Sequence, residues 1–230
     1  MKILFVEDDP SFANALLISL RARGNEVSHV ATGGNAISKF LTGHFDVVVL
    51  DLGLSDMDGI EVLKRIRSKS NTPIVVLSAR VGEVSKVDAL DAGADDYVTK
   101  PFGLGEFLAR LRAAHRRGSP GPTDRVLKVG SRMIDLSSKQ IVTDDGRPPK
   151  LTPTEWALME VLALENNRIV SREELLRRVW GENFTHEYDY LRVYIAQLRR
   201  KIEDDPATPA YIITESGVGY RLMAEVVVKD

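Results

Sequence analysis

Five polar positions stand at the ends of apolar runs. Glu7 and Asp8 follow Ile3-Leu4-Phe5-Val6, Asp51 follows Val47-Val48-Val49-Leu50, Ser78 closes Ile74-Val75-Val76-Leu77, and Lys100 follows Tyr97-Val98-Thr99. Taken singly, each has a plain explanation: acids and serines form turns and caps, and lysines are usually solvated. Their joint placement is what carries information. If the runs are neighbouring parallel strands, the five side chains collect at one sheet edge, where ligands gather in open α/β folds. Three carboxylates there repel one another unless a cation sits among them. Magnesium suits such a place, because it takes a few carboxylates and keeps several waters. An ammonium and a divalent ion around one Asp would stabilise a phosphoryl group on that Asp.

The elements that must position these residues alternate strand-like and helical. The run 47–50 is β-branched and uniformly apolar, as in a strand buried on both faces. Amphipathic stretches fall at 10–23, around 35–41, from 58 to about 67, near 85–92 and at 105–117, with a further short strand at 26–30. Asp58-Gly59-Ile60-Glu61 has the spacing of a capping box. Five strand–helix units joined by short connections predict an α/β doubly wound parallel sheet with helices on both faces. Gly118-Ser119-Pro120-Gly121-Pro122-Thr123-Asp124 then breaks every periodicity, so 118–125 reads as a linker between domains 1–117 and 126–230.

The second half has short strand candidates at 127–129, 133–136 and 140–143. Thr152-Pro153-Thr154-Glu155 and Ser171-Arg172-Glu173-Glu174 both read as capping boxes opening helices. Trp156, Met159, Leu162 and Ala163 face inward on the first, and Leu175, Leu176 and Val179 on the second. A third helix spans 188–202, and 212–222 reads as two strands around a glycine turn. The pattern predicts an α+β helix-turn-helix with a wing.

On the third helix Leu191, Ile195, Leu198 and Ile202 recur in steps of four, three and four, a buried stripe. The far side presents Asp189, Val193, Ala196, Gln197 and Arg200, flanked by Arg192 and Arg199. From 190 to 201 there are basic residues and no acid, a local cluster hidden by the formal net charge of −2. Such a helix suits the major groove of DNA. Other classes recede: with no cysteine there is no disulfide or thiol chemistry, and no apolar run has membrane-spanning length. The start is too short and too quickly acidic for a signal peptide, so a cytoplasmic location without membrane contact is expected.

Glu7-Asp8, Asp51, Ser78 and Lys100-Pro101-Phe102 resemble the receiver domain of two-component response regulators, across 1–117. That resemblance implies a flavodoxin-like sheet of order 2-1-3-4-5 and phosphorylation of Asp51 by a sensor histidine kinase. It also implies Mg2+ held by Asp8, Asp51, the Gly53 carbonyl and, through water, Glu7. Lys100 would pair with a phosphate oxygen ahead of a cis Pro101, and Tyr97 would be an aromatic switch answering Ser78. Lys86, Asp95, Asp96, Glu106, Arg110 and Arg117 resemble the OmpR/PhoB dimer interface on the fourth helix, fifth strand and fifth helix. The pairs implied across a phosphorylated homodimer are Lys86–Glu106, Asp96–Arg110 and Asp95–Arg117.

Leu151-Thr152-Pro153-Thr154-Glu155, Leu175 to Gly181, Leu198 to Ile202 and Gly217-Val218-Gly219-Tyr220-Arg221 resemble the OmpR/PhoB winged-helix effector. The implied partner is promoter DNA with tandem direct repeats. Val193, Ala196, Gln197 and Arg200 are candidates for base edges. Arg192, Tyr194, Arg199, Lys201, Thr214 and Arg221 are candidates for phosphates or the wing. Ser216 departs from the family pattern, where a basic residue often precedes the first wing glycine. The loop 181–187 is where such regulators touch RNA polymerase. Asp51-Leu52-Gly53-Leu54, Tyr190 to Tyr194 and Ile213 to Gly217 look closest to regulators of potassium-uptake (Kdp) operons. Two rivals stand beside this reading. A haloacid-dehalogenase-type phosphatase wants a second Asp where Gly53 stands, and a DNA-binding protein could use its receiver only to dimerise.

Overall fold

Val47, Val48, Val49 and Leu50 have no exposed surface, because helices cover both faces of the strand they form. The strand belongs to the first of two compact units, Met1–Gly118 and Ser119–Asp230. The computed structural model describes residues 1–79, 83–118, 126–182, 184 and 187–227, and of 83, 84 and 118 the backbone alone. The expected linker beyond 118 lies outside the described residues.

In the first unit strands and helices alternate: β1 (Lys2–Val6), α1 (Pro10–Arg21), β2 (Glu26–Val30), α2 (Gly33–Thr42), β3 (Val47–Asp51), α3 (Gly59–Lys69), β4 (Ile74–Ser78), α4 (Glu83–Asp91), β5 (Asp96–Thr99) and α5 (Leu104–Gly118). The sheet is parallel with order β2-β1-β3-β4-β5. The register pairs Val6 with Leu50, Asp51 with Leu77 and Ser78 with Thr99, so the carboxyl ends of four strands finish level. Local signals fix the helix starts. The Asp9 side chain accepts from the Ser11 and Phe12 amides, and Asp58 from the Ile60 amide. The expected box at Asp58 is not made, because its side chain caps the second helical amide and Glu61 turns instead to Arg65 four residues on. Gly59 has a steric purpose: a Cβ there would lie 2.6 Å from the Asp51 carbonyl oxygen, so only glycine lets α3 start against the end of β3.

The second unit contains β6 (Val126–Val129), β7 (Arg132–Asp135), β8 (Gln140–Thr143), α6 (Pro153–Leu164), β9 (Val170–Ser171), α7 (Arg172–Trp180), α8 (Tyr188–Ile202), β10 (Ile212–Glu215), β11 (Gly219–Leu222) and β12 (Glu225–Val227). A four-stranded sheet of order β12-β6-β7-β8 stands at one side, and β10-β11-β9 forms the wing sheet. The short strands β9 and β12 add to the expected set. Gly219 is required at the base of the wing, since a Cβ would meet the Val170 carbonyl oxygen at 1.9 Å. Thr152 and Glu155 close a full capping box, and Trp156, Met159, Leu162 and Ala163 are buried. Ser171 caps α7 through the Glu174 amide, while the Glu174 carboxylate bonds Arg177. Trp180, Tyr190 and Tyr194 cluster with centroids 5.3 to 6.1 Å apart, joining α7 to α8.

Candidate functional site

The level strand ends bring the first constellation together. Carboxylate oxygens of Glu7, Asp8 and Asp51 all lie within 4.8 Å of one another. Lys100 Nζ donates to Glu7 Oε2 at 2.7 Å and lies 3.2 Å from Asp51 Oδ2. Glu7, Asp51 and Ser78 are buried and Asp8 is half-buried. Burial raises the Glu7 carboxyl above its ordinary range, against the Lys100 hydrogen bond that lowers it, while the Asp51 charge adds to the rise. The ammonium offsets part of the repulsion, and the all-oxygen donor set fits a hard divalent cation. Gly53 lies against Asp51, with its Cβ position 3.5 Å from Oδ2. The Lys100 amide donates to the Ser78 carbonyl at 2.7 Å, and the Lys100–Pro101 peptide is cis. Tyr97 is buried on β5.

Two supporting residues carry no signal in the motifs. His29 Nε2 lies 2.9 Å from the Glu7 carbonyl oxygen, bracing the acidic loop from β2. Asp56 accepts from the Gly33 amide at 2.8 Å and the Gly34 amide at 3.1 Å, tying the loop after Asp51 to the start of α2. Those two amides hold its carboxyl below the ordinary range.

The basic helix is α8, and its expected buried stripe of Leu191, Ile195, Leu198 and Ile202 is covered. Arg192, Ala196 and Arg200 are exposed and Val193 is half-buried. Arg192 lies 3.1 Å from Asp189. Other candidates are engaged within the fold. Tyr194 has no exposed surface and packs on Trp180, a core position of this chain. Gln197 is 7% exposed, which leaves little of it for a base edge. Arg199 donates to the Ile212 carbonyl at 2.9 Å and to Thr214 Oγ1 at 2.7 Å, binding α8 to the wing strand. Lys201 holds the buried Glu155 at 2.6 Å. Glu203, buried at the end of α8, accepts from the Ala210, Tyr211 and Ile212 amides. Arg221 is paired with Glu215, and Thr214 is exposed. Helix and wing are thus one braced object. Of the loop 181–187, residues 183, 185 and 186 lie outside the described residues.

Two domain families match this arrangement: the response regulator receiver domain over residues 3–112, and the C-terminal domain of transcriptional regulatory proteins over 146–222. The transcriptional regulatory protein KdpE of Mycobacterium tuberculosis is 50% identical over 224 residues, covering 96% of this chain and 99% of that protein. The chain is a two-component response regulator of the OmpR/PhoB family. The KDP operon transcriptional regulatory protein KdpE of Escherichia coli is 41% identical over 222 residues, covering 96% of the chain and 98% of the relative. Among solved structures, the Thermotoga maritima response regulator DrrB, an OmpR/PhoB homologue, matches with TM-score 0.51 at 31% identity, over 96% of this chain and 98% of that one. A RitR mutant shares the fold with TM-score 0.75 at 24% identity, over the same shares. Among the described residues of this response regulator, no helix is long and apolar enough to cross a membrane.

The α4, β5 and α5 residues of the regulator are engaged within the chain. Asp95 is fully buried, and its carboxylate accepts from Arg67 at 2.6 Å and from the Ile74 amide at 2.9 Å. Arg117 is itself buried, donates to the Asp95 carbonyl at 3.1 Å and lies 3.8 Å from the Asp96 carboxylate. Arg110 bridges Asp96 at 3.1 Å and Glu106 at 2.8 Å within one chain. Lys86 is half-buried on α4.

Proposed function

We propose that this response regulator is switched by phosphorylation of Asp51 from a sensor histidine kinase and, once phosphorylated, binds promoter DNA as a homodimer. The convergence of three carboxylates within 4.8 Å, with the Lys100 ammonium at 2.7 and 3.2 Å from two of them, is the observation that carries this reading. Glu7, Asp8, Asp51 and the Gly53 carbonyl would hold Mg2+, which when bound supplies positive charge opposite the transferring phosphoryl oxygens. Lys100 would answer the same charge from the other side. Ser78 and Tyr97, on adjacent strands, would respond to the new acceptor oxygens and select a minor conformer of the α4, β5 and α5 face.

On that face Lys86 with Glu106 and Asp96 with Arg110 are proposed to pair across subunits. Surface ion pairs contribute about 0–1 kcal/mol each, and Asp96 is buried, so such pairs would serve to set the register of a weak dimer more than its strength. Arg110, which already forks to Asp96 and Glu106, would exchange or share those partners. Two effectors joined in this way engage tandem direct repeats, because linking raises the effective concentration of the second. Arg192, Val193, Ala196 and Arg200 are the proposed groove contacts, with Thr214 and Arg221 on the wing. Likeness to the KdpE regulators supports control of potassium uptake, and cytoplasmic action beside RNA polymerase follows from the same reading.

The test selects sites from random duplexes with and without acetyl phosphate and magnesium. Enriched direct repeats bound more tightly after phosphodonor treatment, but not by Asp51→Asn, are expected. Equal enrichment under both conditions would leave a DNA binder whose receiver is not a phosphorylation switch.

A further inference from the structure

We propose that Phe12 is a positioning residue for Lys100, holding its ammonium beside the Asp51 carboxylate. The inference rests on the phosphoacceptor reading of Asp51 and deepens it. Phe12 lies on the first turn of α1, where its amide is fixed by the Asp9 side chain at 3.1 Å. Its ring lies under Lys100 Nζ, 4.3 Å from the centroid. The ring is itself held: it stands T-shaped to Phe102, with centroids 5.9 Å apart and planes at 88°, and Phe102 packs on the fully buried Phe107 with centroids 5.3 Å apart. A chain of three aromatic rings thus connects the core beneath α5 to the lysine at the sheet edge.

An ammonium has three donors. Two directions are accounted for by Glu7 Oε2 at 2.7 Å and Asp51 Oδ2 at 3.2 Å. The ring face covers a further side, attracts the cation through its quadrupole and presents it with no competing acceptor. Without that face, the four-carbon stem could follow Glu7 alone, which is the shorter contact. The consequence falls on phosphoryl transfer. In the transfer from acetyl phosphate, the bond between phosphorus and the acetyl oxygen breaks, an Asp51 carboxylate oxygen bonds to phosphorus, and acetate leaves with the electron pair. Charge on the phosphoryl oxygens is then met by a lysine already in place, which raises the rate of the step more than the affinity for the donor.

The experiment uses the full-length protein with Mg2+ and acetyl phosphate, following Asp51 phosphorylation by intact-mass spectrometry over a range of donor concentrations. Phe12→Leu is expected to lower the limiting rate about two- to tenfold, the span of a partly covered cation–π contact, with little change in half-saturation. Phe12→Tyr, which keeps the ring, is expected to restore it. A second readout is independent of phosphorylation: the Lys100 ε-methylene protons should carry an upfield ring-current shift in the wild type and Phe12→Tyr, lost in Phe12→Leu. Wild-type rates in Phe12→Leu, or equal losses in both variants together with a lower melting temperature, would overturn the role of Phe12 alone. A wild-type protein that takes up no phosphoryl group would overturn the phosphoacceptor reading as well, whatever the methylene shifts show.

Discussion

Lys201 grips both oxygens of the Glu155 carboxylate, at 2.7 and 2.6 Å, across 46 residues of chain. Glu155 has no exposed surface and also accepts the Thr152 amide, so one carboxylate fastens the end of α8 to the start of α6. Glu155→Ala removes the acceptor for both donors, the Lys201 ammonium and the Thr152 amide, at a position with no exposed surface. A loss of about 3 kcal/mol in chemical denaturation is expected, the usual cost of breaking a buried pair. A loss near zero would mean that Lys201 is held elsewhere.

Arg199 spends its guanidinium on the Ile212 carbonyl and Thr214, whereas Arg192 reaches solvent. Both substitutions should weaken DNA binding, but in different ways. Arg192→Ala is expected to lower the slope of log affinity against log salt by about one, as for a lost phosphate contact. Arg199→Gln should lower affinity at every salt concentration with the slope unchanged, because it displaces the wing. A reduced slope for Arg199→Gln would make it a phosphate contact after all.

Arg67 joins α3 to the turn before β5, donating to the Gly93 and Thr72 carbonyls at 2.8 and 2.9 Å as well as to Asp95. Arg67→Ala is expected to destabilise the receiver by about 3 kcal/mol or more, read by thermal or denaturant unfolding. Arg67→Lys, which lacks the planar fork, should recover only part of this.

The Asp56 cap predicts a specific pH response. The Gly33 and Gly34 amides lower its pKa in the folded chain below its ordinary value of 3.8, so the unfolded chain protonates first as pH falls. The contribution is therefore present above about pH 4 and is lost as pH drops through the lower folded value. Asp56→Asn should lessen the fall in stability across that acid window, measured as melting temperature against pH. An unchanged acid limb would show that the cap titrates normally.

The phosphoryl constellation was legible because each of its residues ends an apolar run, and a parallel sheet gathers strand ends whatever the loops do. Arg67 and Asp95 were not, since 28 residues separate them and only the β4–β5 register makes them meet. On α8 the aliphatic stripe was correct but too narrow. Tyr190 and Tyr194 turn toward Trp180, widening the buried arc until it takes Gln197 with it. The capping box at Ser171 is half made and that at Asp58 is not made, because Arg177 and Arg65 offer their glutamates a charged partner one turn along. Strands of two and three residues, β9 and β12, are too short for alternation to announce them.

The pairing of β12 with β6 sets Val227 opposite Val126, so the last strand of the second unit lies antiparallel beside its first. Val126 and Val227, the first and last described residues of that unit, are thus about 5 Å apart, one strand spacing. Such a module can be spliced as a cassette. Its two ends can be bridged by a few residues and reopened in the Asp144-Asp145-Gly146 turn, yielding a circular permutant in which the braced helix and wing survive unchanged.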